Sequence, residues 1–301
     1  MKKRTAIVTG ATGYVGSRLA ARLAFEGWHI HAIVRPESSL TLLEKTSGNV
    51  TIHRYDGMID NLFTIIRMVK PDIVFHLASV FLTEHQPHDI ERMLCANVYF
   101  GTQLAETMAR CGVPHLVNTG TSWQHYNNED YNPVCLYAAT KQAMDSILNY
   151  YVEAASINVI TLKLFDTYGP GDPRPKLLAL LKKAEREGKP LTMSGGEQLI
   201  DLVYIDDVVH AYRLAASRLL EGQSKGGEEY AVSSGNPIPL RKLVDQVEQS
   251  IERPLPIHWG ARPYRTREVM IPWSKGKTLP GWRPKTTLAE GLRMIRLADN
   301  P

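Results

Sequence analysis

Residues 5–16, TAIVTGATGYVG, decide the fold. A short β-branched run ends in Thr-Gly, glycines fall at Gly10, Gly13 and Gly16, and an apolar pattern of helical spacing, YVGSRLAARLAFEG, then begins. Glycine lets the backbone turn tightly and approach a pyrophosphate, while the N-terminus of the following helix offers oriented N–H donors and a positive dipole end. The spacing is G-x-x-G-x-x-G, not the commoner G-x-G-x-x-G, so it specifies a subclass of dinucleotide site. Gly10, Thr12, Gly13, Tyr14, Val15 and Gly16 are the candidate residues of this cradle.

Working outward, further strands read at HIHAIVR, VTIHRYD, DIVFHLA, HLVNTG and INVITLKLF, with the helical stretches YVGSRLAARLAFEG and DIERMLCANVYFGTQLAETMARCG between them. Such alternation predicts an α/β fold, a Rossmann doubly wound parallel sheet with helices on both faces. Beyond Tyr168 the texture changes: YGPGDPRP is a turn cluster, and KLLALLKKAEREG is a helix ending at Gly188, a C-cap signal. DLVYIDDVVHAYRLAASRLLEG and EEYAVSSG read as a helix and a strand that return to the sheet. The Pro- and Arg-rich end beyond Arg253 cannot continue it. The expected organisation is a dinucleotide-binding domain over 1–165, with returning segments around 202–235, and a smaller, discontinuous C-terminal substrate domain over 166–301.

Composition narrows the class. The chain has 301 residues, 44% of them apolar and 22% charged, as in soluble globular proteins. No apolar run is long enough for a membrane helix. The opening MKKRTAIVTG reads as a buried strand, not a signal peptide. Cys95, Cys111 and Cys135 are odd in number and widely spaced, which points to a reducing, cytoplasmic setting. Between Arg253 and Lys285 eight basic residues face one acid, Glu268, a local charge suited to an anionic small molecule rather than to nucleic acid. No metal site is expected: the ten histidines are scattered, and in EHQPH a proline spoils helical ligand spacing.

The end of the second strand, HAIVRPESS, reports on the cofactor. NAD sites place an acid there for the ribose 2′-hydroxyl, and NADP sites a cation for the 2′-phosphate. Arg35 holds that place, with Ser38 and Ser39 as added hydroxyl donors, so NADP(H) is the expected cofactor.

In TGTSWQHYNNEDYNPVCLYAATK, residues 119–141, Tyr137 and Lys141 are one helical turn apart. A phenol of ordinary pKa is a poor acid–base catalyst at neutral pH, and a nearby ammonium is expected to bring it into a useful range. Lys141 could also reach the nicotinamide ribose. Ser122 or Thr121, at the end of the fifth strand, could hydrogen-bond the substrate oxygen that changes protonation.

These pieces together resemble an extended short-chain dehydrogenase/reductase of the nucleotide-sugar epimerase/dehydratase type, over essentially the whole chain. TGATGYVG, YDG at 55–57, FHLAS, NVYFGT, YAATK, LKLFDTYGPGD, LVYIDDVV and LPGWRPKTTLAEGL carry the resemblance. It implies that Asp56, beside Gly57, contacts the adenine, that Leu77, Ala78 and Ser79 line the dinucleotide, and that Asn97 braces the active-site helix. It also implies a nucleotide-diphosphate sugar as substrate and a homodimer through the helices around 89–111 and 135–155.

The departures are informative. In the family's 4,6-dehydratases an acidic pair follows the strand-end hydroxyl; here Trp123 and Gln124 fall in those places. Neither exchanges a proton near neutral pH, so elimination of water is not expected. Ile200 in QLID replaces a frequent arginine, Lys163 stands where arginine is frequent, and Asp166 where asparagine is. Trp123, Gln124, Asp166, Arg174, Arg262 and Arg265 are the candidate substrate contacts. The wording TSWQHYNNEDYNPVCLYAATKQ further resembles the CDP-abequose and CDP-paratose synthases, which reduce a CDP-linked 4-ketosugar. The expected function is therefore NADPH-dependent reduction of the 4-ketone of a nucleotide-linked 4-keto-6-deoxy or 3,6-dideoxy hexose, CDP-linked. A 4-epimerase with tightly bound NAD is the alternative. An NADP-binding regulator on the same fold would have no need of the Tyr-Lys pair.

Overall fold

Seven parallel strands form the central sheet of the computed structural model, which describes residues 3–44 and 50–299. They are β1 (Thr5–Thr9), β2 (His29–Val34), β3 (Val50–Arg54), β4 (Ile73–His76), β5 (His115–Thr121), β6 (Asn158–Leu164) and β7 (Gly227–Val232), in spatial order β7-β6-β5-β4-β1-β2-β3. The longer helices are α1 (Tyr14–Phe25), α2 (Ile59–Val69), α3 (Phe100–Cys111), α4 (Leu136–Ala155), α5 (Leu177–Glu187), α6 (Ile205–Leu220), α7 (Leu240–Ile251) and α8 (Leu288–Asp299). No helix among the described residues is long and apolar enough to cross a membrane.

The near-continuous apolar runs of the sequence are strands covered on both faces. In β1, Ala6 and Val8 pack with Leu19 and Leu23 of α1 and Tyr212 and Ala215 of α6. Ile7 points the other way, into a core shared with Leu62 and Ile66 of α2, Leu104 of α3 and Leu148 of α4. A third cluster, around Leu181, Leu243, Val244 and Leu292, gives the C-terminal elements a core of their own. The Pro- and Arg-rich end meets the sheet at an isolated parallel bridge, Thr278 against Ala231 of β7. It is tied to α6 through buried Asp207, whose carboxylate accepts from the Lys285 and Thr286 N–H groups at 3.0 and 2.9 Å, and whose carbonyl accepts from the Trp282 indole at 2.9 Å.

Strand order reverses between β1 and β4, and ligands of open α/β sheets bind in the crevice outside the strand ends at such a switch point. The loops leaving β1, β4 and β5 carry the cradle, Leu77–Ser79 and Thr121–Ser122 to that one edge. The Thr9 hydroxyl closes the crevice floor, meeting His76 Nδ1 at 2.8 Å and the Ala78 N–H at 3.2 Å.

Candidate active site

The cradle is built so tightly that its glycines are dictated by space. A Cβ on Gly10, whose φ is +69°, would lie 2.6 Å from the Ala78 nitrogen, and one on Gly16 would lie 2.2 Å from the Gly10 carbonyl oxygen. A Cβ on Gly13 would meet nothing closer than that same oxygen, at 3.3 Å, so the space above the turn stays open to a phosphate. Helix α1 begins there with no side-chain cap and no acid in its first turn, leaving its dipole end to a ligand. Tyr14 does not face that opening. Its hydroxyl donates to the Pro170 carbonyl at 3.2 Å, with the Arg174 guanidinium 4.9 Å from its ring centroid.

At the adenosine end, Arg35 is exposed and makes an ion pair with Glu37 at 3.2 Å. Ser38 lies in the same turn, donating its N–H to the Arg35 carbonyl at 3.1 Å, and the Ser39 hydroxyl meets that of Thr41 at 2.9 Å. Asp56 accepts the Met58 N–H at 2.9 Å, and Gly57, at φ +98°, has open space around it. Asn97 sits in a π-helical turn, Cys95–Tyr99, that swings its amide inward. It accepts from the Val80 N–H at 2.7 Å and donates to the Val80 carbonyl and the Thr140 hydroxyl, each at 3.0 Å, bracing the 77–80 loop against α4.

Helix α4 buries both Tyr137 and Lys141. Burial pushes the Tyr137 phenol well above its ordinary value, with Cys135 adding to the rise, while a hydrogen bond with Ser79 and the charge of Arg174 oppose it. This corrects the expectation that Lys141 primes the phenol: the ammonium lies 6.0 Å from the Tyr137 ring centroid and is not among the groups that move it. Tyr137 holds its proton. Burial lowers Lys141 to about 8, with Asp145 one turn on opposing the fall. No described residue accepts a hydrogen bond from this ammonium, which leaves its N–H groups available to a ribose hydroxyl. The cradle, the free dipole end and Lys141 together fit a nicotinamide dinucleotide.

Lys141 carries a testable stability cost. Between about 8 and the unfolded value of 10.5 the unfolded chain binds a proton that the folded chain does not, so stability rises with pH across that window and the penalty is fully present below it. Lys141→Met is expected to melt higher than the parent at neutral pH, by an amount worth roughly 2–3 kcal/mol. The gap should close as the pH approaches the upper end of the window. Equal melting at neutral pH would contradict it.

At the end of β5 the two candidate hydroxyls part ways. Thr121 is a local cap: its hydroxyl accepts the Trp123 N–H at 3.3 Å. Ser122 lines a cavity of about 110 Å³ with Trp123, Asp166, Ile200, Arg265 and Trp273, and no described residue holds its hydroxyl. Gln124 also departs from expectation. It is fully buried, with its amide spent inside the protein, and offers nothing to a substrate. The arginines differ too. Arg174 is held by Asp172 at 2.6 and 2.7 Å and donates to the Thr167 carbonyl at 2.9 Å. Arg265 pairs with Glu268 at 2.8 Å and lies 5.4 Å from the Trp123 ring centroid, while Arg262 is exposed nearby. Asp166 pairs with Lys176 at 3.1 Å.

Residues that sequence reasoning missed complete the walls. Phe81 stands edge-on to Tyr137 at 4.9 Å and 5.6 Å from Trp123. Trp273 stacks on His125 at 3.9 Å, and His125 Nε2 accepts from the buried Lys163 ammonium at 3.0 Å. Neither aromatic sits in a recognisable pattern, so only the fold could bring them here. A larger cavity of about 310 Å³, lined by Ser234, Asn236 and Lys285 among others, shares only Ile200 with the first and holds no candidate residue.

Residues 6–232 match the model of the NAD dependent epimerase/dehydratase family. The chain belongs to that family. The CDP-abequose synthase of Salmonella muenchen is 25% identical over 292 residues, 96% of each chain. The UDP-glucose 4-epimerase of Mycolicibacterium smegmatis is 27% identical over 308 residues, 95% of each. Among solved structures, the UDP-N-acetylglucosamine 4-epimerase of Methanobrevibacter ruminantium superposes with a TM-score of 0.86 at 20% identity, covering 100% of this chain and 99% of that one. The Thermus thermophilus UDP-glucose 4-epimerase, in complex with NAD, gives 0.82 at 23% identity, covering 98% of each chain. The Rossmann-like sheet and its flanking helices thus match these structures over the whole chain.

Proposed function

We propose that the protein reduces the 4-ketone of a nucleotide-linked 4-keto-6-deoxy or 3,6-dideoxy hexose, CDP-linked, using NADPH. The observation that carries this reading is a site with one proton donor and no second acid: Tyr137 is buried and protonated, and Trp123 and Gln124 stand where a dehydratase needs exchangeable protons. NADPH, when bound, supplies the hydride that the carbonyl carbon receives. Tyr137 gives its proton to the carbonyl oxygen, and burial keeps that proton in place until the oxygen gains charge. The Ser122 hydroxyl donates a hydrogen bond to the same oxygen, and Lys141 is the group that would hold the ribose. Arg35 with Ser38 and Ser39 would hold the 2′-phosphate. Arg262 and Arg265 are the cations placed for the substrate's diphosphate.

The likeness to CDP-abequose synthase supports the CDP-linked substrate. A second reading, 4-epimerisation with retained NAD, is supported by the UDP-glucose 4-epimerase relative. That reaction needs Tyr137 to take a proton from the substrate hydroxyl first and to return it after the ketone has turned. Incubation with NADPH and a panel of keto-sugar nucleotides separates the readings. A reductase consumes one NADPH for each CDP-linked ketosugar reduced; interconversion of UDP-hexoses with no net cofactor consumption would overturn the proposal in favour of the epimerase.

The homodimer is proposed through the segment 90–99 and α4, where Ile90, Leu94, Tyr99 and Tyr150 are 40%, 43%, 58% and 64% exposed. Leu94→Glu with Tyr150→Glu is expected to sediment near the 33.8 kDa monomer mass while the parent sediments at twice that. A parent that sediments as a monomer would refute the interface. Cys95, Cys111 and Cys135 are unpaired, in keeping with the cytoplasm.

A further inference from the structure

We propose that Gln124 is a positioning residue: its side-chain amide couples the loop bearing Ser122 to the helix bearing Tyr137 and Lys141, so that hydroxyl and phenol meet one carbonyl. The inference rests on the reading of Ser122 and Tyr137 as the pair that acts on the ketone.

The connection runs through both ends of the amide. Gln124 Oε1 accepts the Thr121 N–H at 2.9 Å, one residue before Ser122. Gln124 Nε2 donates to Asp145 Oδ2 and to Gln142 Oε1, each at 2.8 Å, and both acceptors belong to α4. The orientation is forced, because the backbone N–H needs an acceptor and the carboxylate needs a donor, so the amide oxygen must face Thr121 and the amide nitrogen Asp145. The side chain is fully buried, so water cannot substitute for either partner. Space is equally restricted: a methyl on Gly120 would lie 3.0 Å from Gln124 Oε1 and 3.0 Å from Lys163 and Thr161 side-chain atoms.

The far anchor is itself held in place. Asp145 is buried and also accepts from Asn118 Nδ2 of β5 at 3.1 Å. The charged groups around it are Lys141 on its own helix, Lys163 of β6 and Glu229 of β7. The strut thus fixes the end of β5 against α4 at the point where the two catalytic groups diverge in sequence.

Gln124→Ala removes both bonds. It is expected to lower kcat at least tenfold with KM within about twofold of the parent, and to speed hydrogen exchange at the Thr121 amide. Gln124→Glu is the sharper probe, because its size is conserved. It sets a second carboxylate against Asp145, and two such groups hold one proton between them. While the proton is shared, an O–H donor takes the amide's place; once it is lost, like charges push the loop and helix apart. Its kcat should therefore approach the parent's at the acid end and fall about tenfold relative to the parent as pH rises through the upper titration of the pair.

Gln124→Ala with unchanged kcat, or Gln124→Glu tracking the parent at every pH, would overturn the proposal. If Gln124→Ala does not fold, the Gln124→Glu profile decides. Thr121 amide exchange reads the strut without turnover, so unaltered exchange in both variants refutes it even if the reductase reading stands. Conversely, an active Tyr137→Phe refutes the site reading, whatever Gln124 does.

Discussion

Tyr137→Phe is expected to bind NADPH with the parent's affinity and to lose turnover by about a thousandfold. The ring stays where it is, because its edge-on contact with Phe81 at 4.9 Å and its burial in α4 do not involve the hydroxyl. Only the proton and the hydrogen bond with Ser79 disappear. Water cannot readily replace the donor in a buried site, so the alkoxide forming at C4 would have Ser122 alone to steady it. NADPH binding followed by dinucleotide fluorescence, and single turnovers followed by absorbance, measure the two halves separately. Wild-type turnover in this variant would remove Tyr137 from the acid role.

The second large effect is on cofactor choice. Arg35→Asp is expected to weaken NADPH about a hundredfold and to leave NADH within a few-fold. A charge-assisted bond to the 2′-phosphate is worth about 1.5–3 kcal/mol, and the new carboxylate adds repulsion to its loss. Glu37 does not compensate in the parent: its contact with Arg35 is an exposed pair at 3.2 Å, which an incoming phosphate can displace at little cost. Titration of both dinucleotides against parent and variant decides the matter. Equal losses would contradict the 2′-phosphate assignment and return the site to NAD, the cofactor seen in the Thermus thermophilus structure.

Much of the architecture was legible because it is written in local patterns. Apolar runs that do not alternate, such as TAIVT and DIVFH, announce strands covered on both faces, and the structure buries Ile73, Val74 and Phe75 completely. The glycines of the cradle were legible for the same reason. What makes Gly10 obligatory is nevertheless tertiary: the loop after β4 leaves no room for a Cβ there, and its Ala78 N–H donates to the Thr9 hydroxyl.

The site was only half legible. The count back from Tyr126 favours Ser122 over Thr121, and in the fold the Thr121 hydroxyl accepts the Trp123 N–H. Gln124 read as a substrate contact because it falls where the family's dehydratases carry an acid beside the substrate. The fold points it inward, toward Asp145 of α4, 21 residues away. The same limit applies to Tyr137, where a lysine one turn along suggested a lowered phenol and burial produced a raised one.

What the amino-acid order alone settled here is the sheet, the phosphate turn and the pairing of Tyr137 with Lys141, because strand, turn and helix signals are properties of neighbouring residues. That Gln124 is buried with both ends of its amide bonded, and that Tyr137 and Lys141 lie out of water, is visible only in the packed molecule. Desolvation and hydrogen-bond partners come from segments far apart in the chain, and no spacing along it records them.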